Sequence, residues 1–183
     1  MNAKIDISNV VIKTERLLLR PWRKSDLDDF YHYARVDGVG QMAGWLPHEN
    51  KKVSKKILEQ FIEEKFVLAI TLNGIAIGSV GIDPYNEQEF PELNSLEGRE
   101  IGYVLSMDYW GNGYTPEAVK AVINYCFNEL NLDFLLGSYA KDNYQSKRVQ
   151  EKCGFTFYKE FEFLTSWGEV KDSIKTIIRN PKK

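Results

Sequence analysis

The sequence is poor in the residues that build metal centres and disulfide frameworks. It holds two cysteines and two histidines among 183 residues. Cys126 and Cys153 have no close spacing and no histidine cluster beside them, which argues against both a zinc site and a disulfide framework. We therefore expect no metal and two buried thiols. His32 and His48 form no recognisable serine–histidine–acid arrangement, so a nucleophilic triad is not expected either.

Long apolar runs and an excess of positive charge are also lacking. No segment is apolar over the length needed to cross a bilayer, and residues 1–6 lack the basic start and apolar core of a secretory signal. The formal net charge is -2, from 24 basic and 26 acidic residues, whereas a nucleic-acid partner normally requires a basic stripe. These absences predict a cytoplasmic protein without a membrane or nucleic-acid partner.

The alternation of apolar and polar segments predicts one mixed α/β domain. At this length a single domain with a substantial core is the default, and the sequence contains neither a repeat nor a low-complexity linker. Asn73-Gly74 between two apolar runs predicts a central hairpin, and Gly154 is a natural helix stop. Predicted strands span 16–22, 66–72, 75–82, 99–105, 134–139, 155–163 and 174–179, and predicted helices span 25–36, 53–64, 116–130 and 145–153.

One segment, residues 109–118, carries the most informative chemical signal. It reads Tyr-Trp-Gly-Asn-Gly-Tyr-Thr-Pro-Glu-Ala, a glycine-rich turn that runs directly into a helix. The two glycines permit positive φ angles, and the first helical turn presents unpaired N–H groups with positive dipole character. This geometry suits a phosphate or pyrophosphate. Nucleotide-binding loops that need a lysine or a third glycine after Gly113 do not fit, because Tyr114 to Pro116 stand there.

Two flanking motifs make the turn much more specific. Glu-Ile-Gly-Tyr-Val-Leu stands upstream at 100–105, and Asn-Tyr-Gln-Ser-Lys-Arg-Val-Gln-Glu-Lys-Cys-Gly-Phe stands downstream at 143–155. In this order the three motifs resemble the GCN5-related N-acetyltransferases (GNAT family), and within them the branch of the ribosomal-protein-alanine N-acetyltransferases. Thr-Glu-Arg-Leu-Leu-Leu-Arg-Pro-Trp at 14–22 is similar to the same branch. The resemblance covers residues 13–163.

The resemblance implies both a fold and a cosubstrate. The fold is a single domain over residues 1–183, with an N-terminal extension at 1–12 and a mixed, mostly antiparallel sheet of about seven strands flanked by helices. Acetyl-coenzyme A (acetyl-CoA) would lie in a cleft between two splayed parallel strands, here 100–105 and 134–139. The implied cofactor-binding residues belong to the first strand, the glycine turn and the start of the following helix: Val104, Leu105, Trp110, Gly111, Asn112, Gly113, Tyr114, Thr115, Asn143 and Ser146.

Two positions of the turn depart from the wider family. Trp110 stands where glutamine or arginine is usual, a change that is familiar in this branch. Thr115 stands where a small residue is usual, and its hydroxyl is expected to cap the helix or to contact phosphate. Neither change removes the backbone cradle.

The implied reaction moves an acetyl group from a thioester to an amine, so it needs a base for the amine and a proton for the departing thiolate. Glu100 is the predicted base, and the alternative is an edge glutamate paired with Arg99 or a lysine. The tyrosine that many relatives use as acid is Gln150 here, so Ser146 is the predicted proton donor. The alternative for Ser146 is a first-turn hydroxyl that only bonds the backbone.

The acceptor is expected to be a primary amine, and its identity is open. The branch includes enzymes for ribosomal-protein α-amines, antibiotics and other small amines, and the loops at 36–50 and 83–98 are expected to decide among them. The glutamates of the second loop are either solvated or form an acidic lip that attracts the amine. A non-catalytic acyl-CoA-binding sensor is the competing interpretation. Many relatives form dimers, so a homodimer is also open.

Overall fold

A single sheet organises the chain, and the computed structural model describes all of residues 1–183. Four helices cover the two faces of this sheet. The strands are β1 (Ile12–Lys13), β2 (Leu18–Pro21), β3 (Val67–Leu72), β4 (Ile75–Asp83), β5 (Gly98–Leu105), β6 (Phe134–Ala140), β7 (Thr156–Leu164) and β8 (Val170–Arg179). The helices are α1 (Leu27–Ala34), α2 (Lys51–Glu64), α3 (Tyr114–Asn128) and α4 (Tyr144–Cys153).

The strand order is β1-β2-β3-β4-β5-β6-β8-β7, and every neighbouring pair is antiparallel except β5 and β6. This confirms the predicted α/β fold with a mixed, mostly antiparallel sheet. The sheet has eight strands because the two-residue β1 adds one to the seven predicted from the sequence. No helix is both long and apolar enough to span a membrane.

Local signals in the sequence place several element ends correctly. Asn73 and Gly74 have φ angles of 51° and 86°, as the two-residue turn between β3 and β4 requires. Gly154, with φ of 89°, ends α4 in the left-handed conformation. Helix α2 begins at Lys51, two residues earlier than predicted, because the Asn50 side chain accepts the N–H groups of Lys52 and Val53.

The two sheet faces bury separate apolar clusters. Helix α3 and the end of α4 pack on one face, where Ile101 and Leu105 of β5 lie in the larger core cluster. Helices α1 and α2 pack on the other face, where Val104 adjoins the second cluster. This follows from the alternation of side chains along a strand. The residues of β5 therefore contribute alternately to the two faces, which decides where each predicted site residue points.

The parallel pair β5 and β6 opens into a cleft. Their pairing runs from Gly98 opposite Phe134 to Ile101 opposite Gly137 and stops there. Beyond this point β5 stays paired with β4 as far as Leu105, while β6 stays paired with β8 as far as Ala140. The second halves of the two strands therefore diverge, and residues 102–105 have no strand partner on the side of β6.

The first residues of the chain pack onto this framework. The Ala3 N–H donates to the carbonyl of Gly98 at 3.2 Å, and the Gly98 N–H donates to the carbonyl of Met1 at 3.0 Å. Ala3 and Ile7 are buried in the larger core cluster. Both cysteines are buried free thiols, as predicted.

Candidate active site

The glycine turn between β5 and α3 presents a row of free backbone donors. Gly111 and Gly113 have φ angles of 79° and 78°, a conformation that glycine adopts without the penalty a Cβ brings. The first hydrogen bond of α3 joins the Glu117 N–H to the Gly113 carbonyl at 3.2 Å. No N–H group from Gly111 to Thr115 has a hydrogen-bond partner within the protein. The turn therefore offers an anion its unpaired N–H groups and the positive end of α3.

The role expected of Thr115 as helix cap is wrong. Gly113 is the N-cap residue and α3 begins at Tyr114, so Thr115 is already the second residue of the helix. The threonine is half-buried and lies beside the glycine turn. The contact of its hydroxyl with phosphate stays a prediction.

Side chains from outside the turn hold its shape. The Trp110 indole N–H donates to the Leu105 carbonyl at 2.8 Å, which fixes the turn against the end of β5. Arg16 donates through Nη1 to the Asn112 carbonyl at 2.9 Å and through Nε to Glu117 at 2.7 Å. The segment before β2 therefore braces the turn and the first turn of α3 together.

A cavity of about 400 Å³ extends from the end of β5 to the glycine turn and α4. It contains every predicted cofactor-binding residue except Asn112, namely Val104, Leu105, Trp110, Gly111, Gly113, Tyr114, Thr115, Asn143 and Ser146. Arg148 and Lys152 of α4 also line it, and their i, i+4 spacing puts both on one face of the helix. The sequence analysis missed these two cations, although that spacing beside a phosphate-binding turn is a usable signal.

Asn143 organises the start of α4. Its Oδ1 accepts the Ser146 N–H at 3.0 Å, so the side chain caps the helix. Its Nδ2 donates to the Met42 carbonyl at 3.1 Å and ties the loop before α2 to the cavity. Asn143 thus fixes the backbone that carries Ser146 and keeps one further N–H for a ligand.

The Ser146 hydroxyl forms a hydrogen bond with Tyr103, a residue that no sequence motif marks as functional. The Tyr103 hydroxyl donates to the Ser146 carbonyl at 3.1 Å and lies 2.7 Å from Ser146 Oγ, where either oxygen can be the donor. Burial raises the pKa of Tyr103 to about 12, so this phenol keeps its proton at neutral pH. The pair brings together β5 and α4, which are 43 residues apart in the chain.

Gln150 has a structural position. It is buried, its Nε2 donates to the Ser138 carbonyl at 2.9 Å, and its Oε1 accepts the hydroxyl of Thr176. The amide therefore joins α4 to β6 and β8. A tyrosine at this position would not make the same two contacts.

A second cavity, of about 320 Å³, meets the first at Ala43, Tyr103 and Ser146. It lies where β5 and β6 have separated, and the aromatic side chains of Phe161 and Phe163 line its outer part. Two carboxyl side chains, Asp83 and Glu100, also line it. None of the loop glutamates at 87, 89, 92 and 97 lines either cavity.

Glu100 is firmly paired within this second cavity. Lys175 Nζ lies 2.8 Å from Oε1 and 3.0 Å from Oε2, and the Ser138 hydroxyl donates to Oε1 at 2.9 Å. The Lys175 side chain is 7% exposed, so this carboxylate is its buried charge partner. Arg99 instead donates to the carbonyl of Ala3.

Asp83 lies opposite Glu100 in the β4–β5 ladder. No group of the protein donates a hydrogen bond to its carboxyl oxygens. Burial and the negative charges of Glu100 and Glu64 raise its pKa from 3.8 to about 7, partly offset by Arg99. From the sequence alone Asp83 falls at the start of a predicted loop, without a motif that marks it as a candidate.

Comparison with known proteins agrees with this geometry. Residues 16–156 match the family described as acetyltransferase (GNAT) domain. The uncharacterized N-acetyltransferase YnaD of Bacillus subtilis is 29% identical over 145 residues, which cover 78% of this chain and 81% of that protein. Spermidine N(1)-acetyltransferase of Escherichia coli K12 is 27% identical over 169 residues, which cover 87% and 84% of the two chains.

The fold is shared with solved acetyltransferases. A ribosomal-protein-S5-alanine acetyltransferase from Vibrio fischeri aligns with a TM-score of 0.74 and 23% identity, over 94% of this chain and 98% of that chain. The family match spans well over half of the sequence. The chain therefore belongs to the GNAT family of acetyltransferases and is an acyltransferase.

Proposed function

We propose that the protein transfers the acetyl group of acetyl-CoA directly to a primary amine. The observation that carries this proposal is the junction of two cavities at Tyr103 and Ser146. One cavity ends in a cradle of free N–H groups that suits the phosphates of coenzyme A, and the other holds carboxyl groups that suit an amine. An acyl group and an acceptor would meet between them.

Acetyl-CoA supplies the acetyl group as a thioester, and the residues of the first cavity fit its chemical parts. The N–H groups from Gly111 to Thr115 would hold the pyrophosphate, and Arg148 and Lys152 across the cavity would balance its charge. Backbone groups of Val104 and Leu105 would pair with the pantetheine amides, because that edge of β5 has lost its neighbouring strand. Asn143 would add a side-chain contact to the same arm.

Ser146 is the proposed proton donor for the thiolate. Its hydroxyl lies at the junction of the cavities and within hydrogen-bond distance of the Tyr103 hydroxyl. The one phenol proton lies within reach of both the Ser146 carbonyl and Ser146 Oγ. When it turns to Oγ, the serine proton is free to point at the sulfur, and the phenol can restore it. This relay supplies the acid that Gln150 cannot.

A carboxylate of the second cavity is the proposed base. Glu100 is the residue named from the sequence, and Asp83 stands beside it in the same cavity. The two differ in their partners, because Glu100 is bonded to Lys175 and Ser138 whereas Asp83 has no donor.

The acceptor class is proposed from the relatives and the cavity together. One relative is a spermidine acetyltransferase and one solved neighbour is a ribosomal-protein-alanine acetyltransferase, so small amines and protein α-amines are both candidates. We place the protein with the ribosomal-protein-alanine branch because of its three motifs. Val39 and Met42 of the first variable loop line the first cavity, and Ala43 lines both, so this loop borders the acceptor side through Ala43.

The direct experiment is release of coenzyme A thiol from acetyl-CoA, measured across a panel of amines. The panel holds short peptides beginning with alanine or serine, spermidine, aminoglycosides and free amino acids. Release with one class establishes the transferase and names its acceptor class. Binding of acetyl-CoA without release across the panel would contradict the proposal and favour the sensor.

A further inference from the structure

We propose that Asp83, rather than Glu100, is the catalytic base that takes the proton from the acceptor amine. The inference rests on the proposed amine acetylation and adds a residue that belongs to none of the three family motifs. Glu100 and Lys175 then form a fixed ion pair that shapes the cavity beside the base. Four observations carry this assignment.

The first observation is that the Asp83 carboxyl group lies against two glycines of the sheet. A Cβ at Gly81 would stand 2.6 Å from both carboxyl oxygens, and a Cβ at Gly102 would stand 2.8 Å from Oδ2. Gly81 and Gly102 are opposite each other in the β4–β5 ladder. The carboxyl group therefore lies across bare backbone of two strands, and it occupies the space that two absent side chains leave at the mouth of the cleft.

The second observation is that Asp83 has a free acceptor surface. Its oxygens receive no hydrogen bond from the protein, although the carboxyl group lines the second cavity. Asp83 is half-buried, so its unoccupied oxygens can be reached from the cavity. An ammonium group, or a water between it and the carboxylate, would supply the missing donors.

The third observation is that both carboxyl oxygens of Glu100 already have partners. Lys175 Nζ lies within 3.0 Å of both oxygens, and the Ser138 hydroxyl donates to Oε1 at 2.9 Å. Lys175 is almost fully buried and has no other carboxylate partner. Removing one member of such a buried pair is strongly unfavourable, so Glu100 serves as a fixed structural contact.

The fourth observation is the charge around Asp83. The charges of Glu100 and Arg99 act on the Asp83 carboxyl group from β5, and that of Glu64 acts from the end of α2. Lys175 of β8 is bonded to Glu100. The neutral side chains of Tyr103 and Tyr139 line the same cavity. Burial first, and then the two glutamates, raise the pKa of Asp83 to about 7. A base with this pKa is half ionised at neutral pH, where it can take a proton and pass it on.

The proton balance is complete with these groups. Asp83 takes one proton from the ammonium group and releases it to solvent, which leaves a neutral amine. The amine nitrogen then forms a bond to the acetyl carbon, the carbon–sulfur bond breaks, and the thiolate takes one proton from Ser146. The nitrogen gives its second proton to the Asp83 carboxylate, and this proton passes through water to restore the Ser146 hydroxyl. The sum is one amide, one thiol and one proton released.

The test compares Asp83→Asn with Glu100→Gln, using the panel amine on which the wild-type enzyme is fastest. We expect Asp83→Asn to lower kcat by roughly 100-fold or more, the usual size of a general-base contribution, with the KM for acetyl-CoA unchanged. In Asp83→Asn the rise of kcat with pH around pH 7 should also disappear, because the group that titrates there has been removed. In Glu100→Gln that rise remains, and it moves to lower pH because a negative charge beside Asp83 is gone.

A more distant pair of variants tests the same base without touching the cavity. Glu64→Gln removes one of the charges that raise the pKa of Asp83, so the acid limb of the pH profile should move to lower pH. Glu63→Gln is the matched control. It removes the same charge from the same exposed end of α2, from a residue that does not act on Asp83, and should leave the limb in place.

Stability gives a readout that does not depend on an acceptor. The folded protein binds the Asp83 proton more tightly than the unfolded chain does, so its stability falls as pH rises from 3.8 to about 7. Asp83→Asn removes this loss. At pH 8 the variant should therefore unfold at a temperature equal to or above that of the wild type, although its turnover has collapsed.

The outcomes separate this inference from the proposed function. An active wild type with an inactive, stable Asp83→Asn variant supports the base. If the wild type is active, Asp83→Asn keeps the turnover and the acid limb of the pH profile, and Glu100→Gln loses both, then Glu100 and not Asp83 is the base. The proposed acetyl transfer would still stand in that case. A wild type that binds acetyl-CoA and acetylates nothing overturns both.

Discussion

At the scale of single residues, the candidate active site combines one residue that the sequence identifies and one that it does not. Ser146 follows a recognisable asparagine in a helix motif, whereas its partner Tyr103 comes from a strand that precedes it by 43 residues. Side-chain contacts between distant elements depend on the register of the sheet and on helix packing. The sequence alone carries no local signal for them.

The Ser146–Tyr103 pair gives a direct test of the proton relay. We expect Ser146→Ala to lower kcat by roughly 100-fold, within the range of general acid catalysis, and Tyr103→Phe to lower it by about tenfold because the serine loses its supporting donor. Both variants should keep the wild-type KM for acetyl-CoA. Tyr144→Phe, at an exposed tyrosine two residues before Ser146, is the control. Equal turnover in Ser146→Ala would remove the acid role.

The basic residues of α4 give a test of the phosphate site. Arg148→Gln and Lys152→Gln should each weaken coenzyme A binding by roughly two- to fivefold, as expected for a partly exposed charge pair, and the loss should shrink in high salt. Lys147→Gln removes a charge from the same helix at a position outside the cavity. Titration calorimetry at two salt concentrations measures all three. Identical losses in the three variants would argue for a general charge effect.

At the scale of elements, most strands and helices follow from local patterns, and the exceptions occur at the site. The hairpin at Asn73-Gly74 and the helix stop at Gly154 have the conformations that their residue types favour. The start of α3 was placed two residues late because Thr115 and Pro116 are typical of a helix start. Gly113 takes the cap position instead, which leaves its neighbours with free N–H groups.

The cradle can be tested with two glycines of matched strain. Gly111→Ala and Gly74→Ala both place a Cβ at a φ near 80° with no atom within 4 Å, so each should cost about 1 to 2 kcal/mol of folding stability. Gly111→Ala should also weaken acetyl-CoA binding, because strain in the turn displaces the N–H groups that are proposed to hold the pyrophosphate. Gly74→Ala lies in the distant hairpin and should bind normally. Equal affinities would exclude the turn as the phosphate site.

At the scale of the whole molecule, the splayed pair β5 and β6 determines where chemistry is possible. The sequence predicts the two strands and the resemblance implies their separation, and the structure confirms that their pairing stops at Ile101. Asp83 was missed because it stands at the end of β4, and a lone aspartate at a strand end has no motif around it. Its environment arises only when α2, β4 and β5 come together.

Folding of the domain also depends on a buried ion pair far from the cleft. Arg20 of β2 donates to both carboxyl oxygens of Asp26 at 2.7 Å and 2.8 Å, and both side chains are 7% exposed. Asp26→Asn should lower the free energy of unfolding by about 3 to 5 kcal/mol, because it leaves a buried guanidinium uncompensated. Asp28→Asn breaks an exposed pair with Lys51 and should cost less than about 1 kcal/mol. Urea denaturation compares them, and equal costs would contradict the buried pair's importance.

The central claim is that this fold couples the two cavities in one acetyl transfer. The measurement that tests it most directly is the ratio of acetylated amine to coenzyme A thiol, determined by mass spectrometry and thiol titration in the same reaction with the best amine of the panel. One acetylated amine for each thiol, with both formed roughly 100-fold more slowly in Ser146→Ala, is the expected result. Thiol release without an acetylated amine, or binding without release, would contradict the claim.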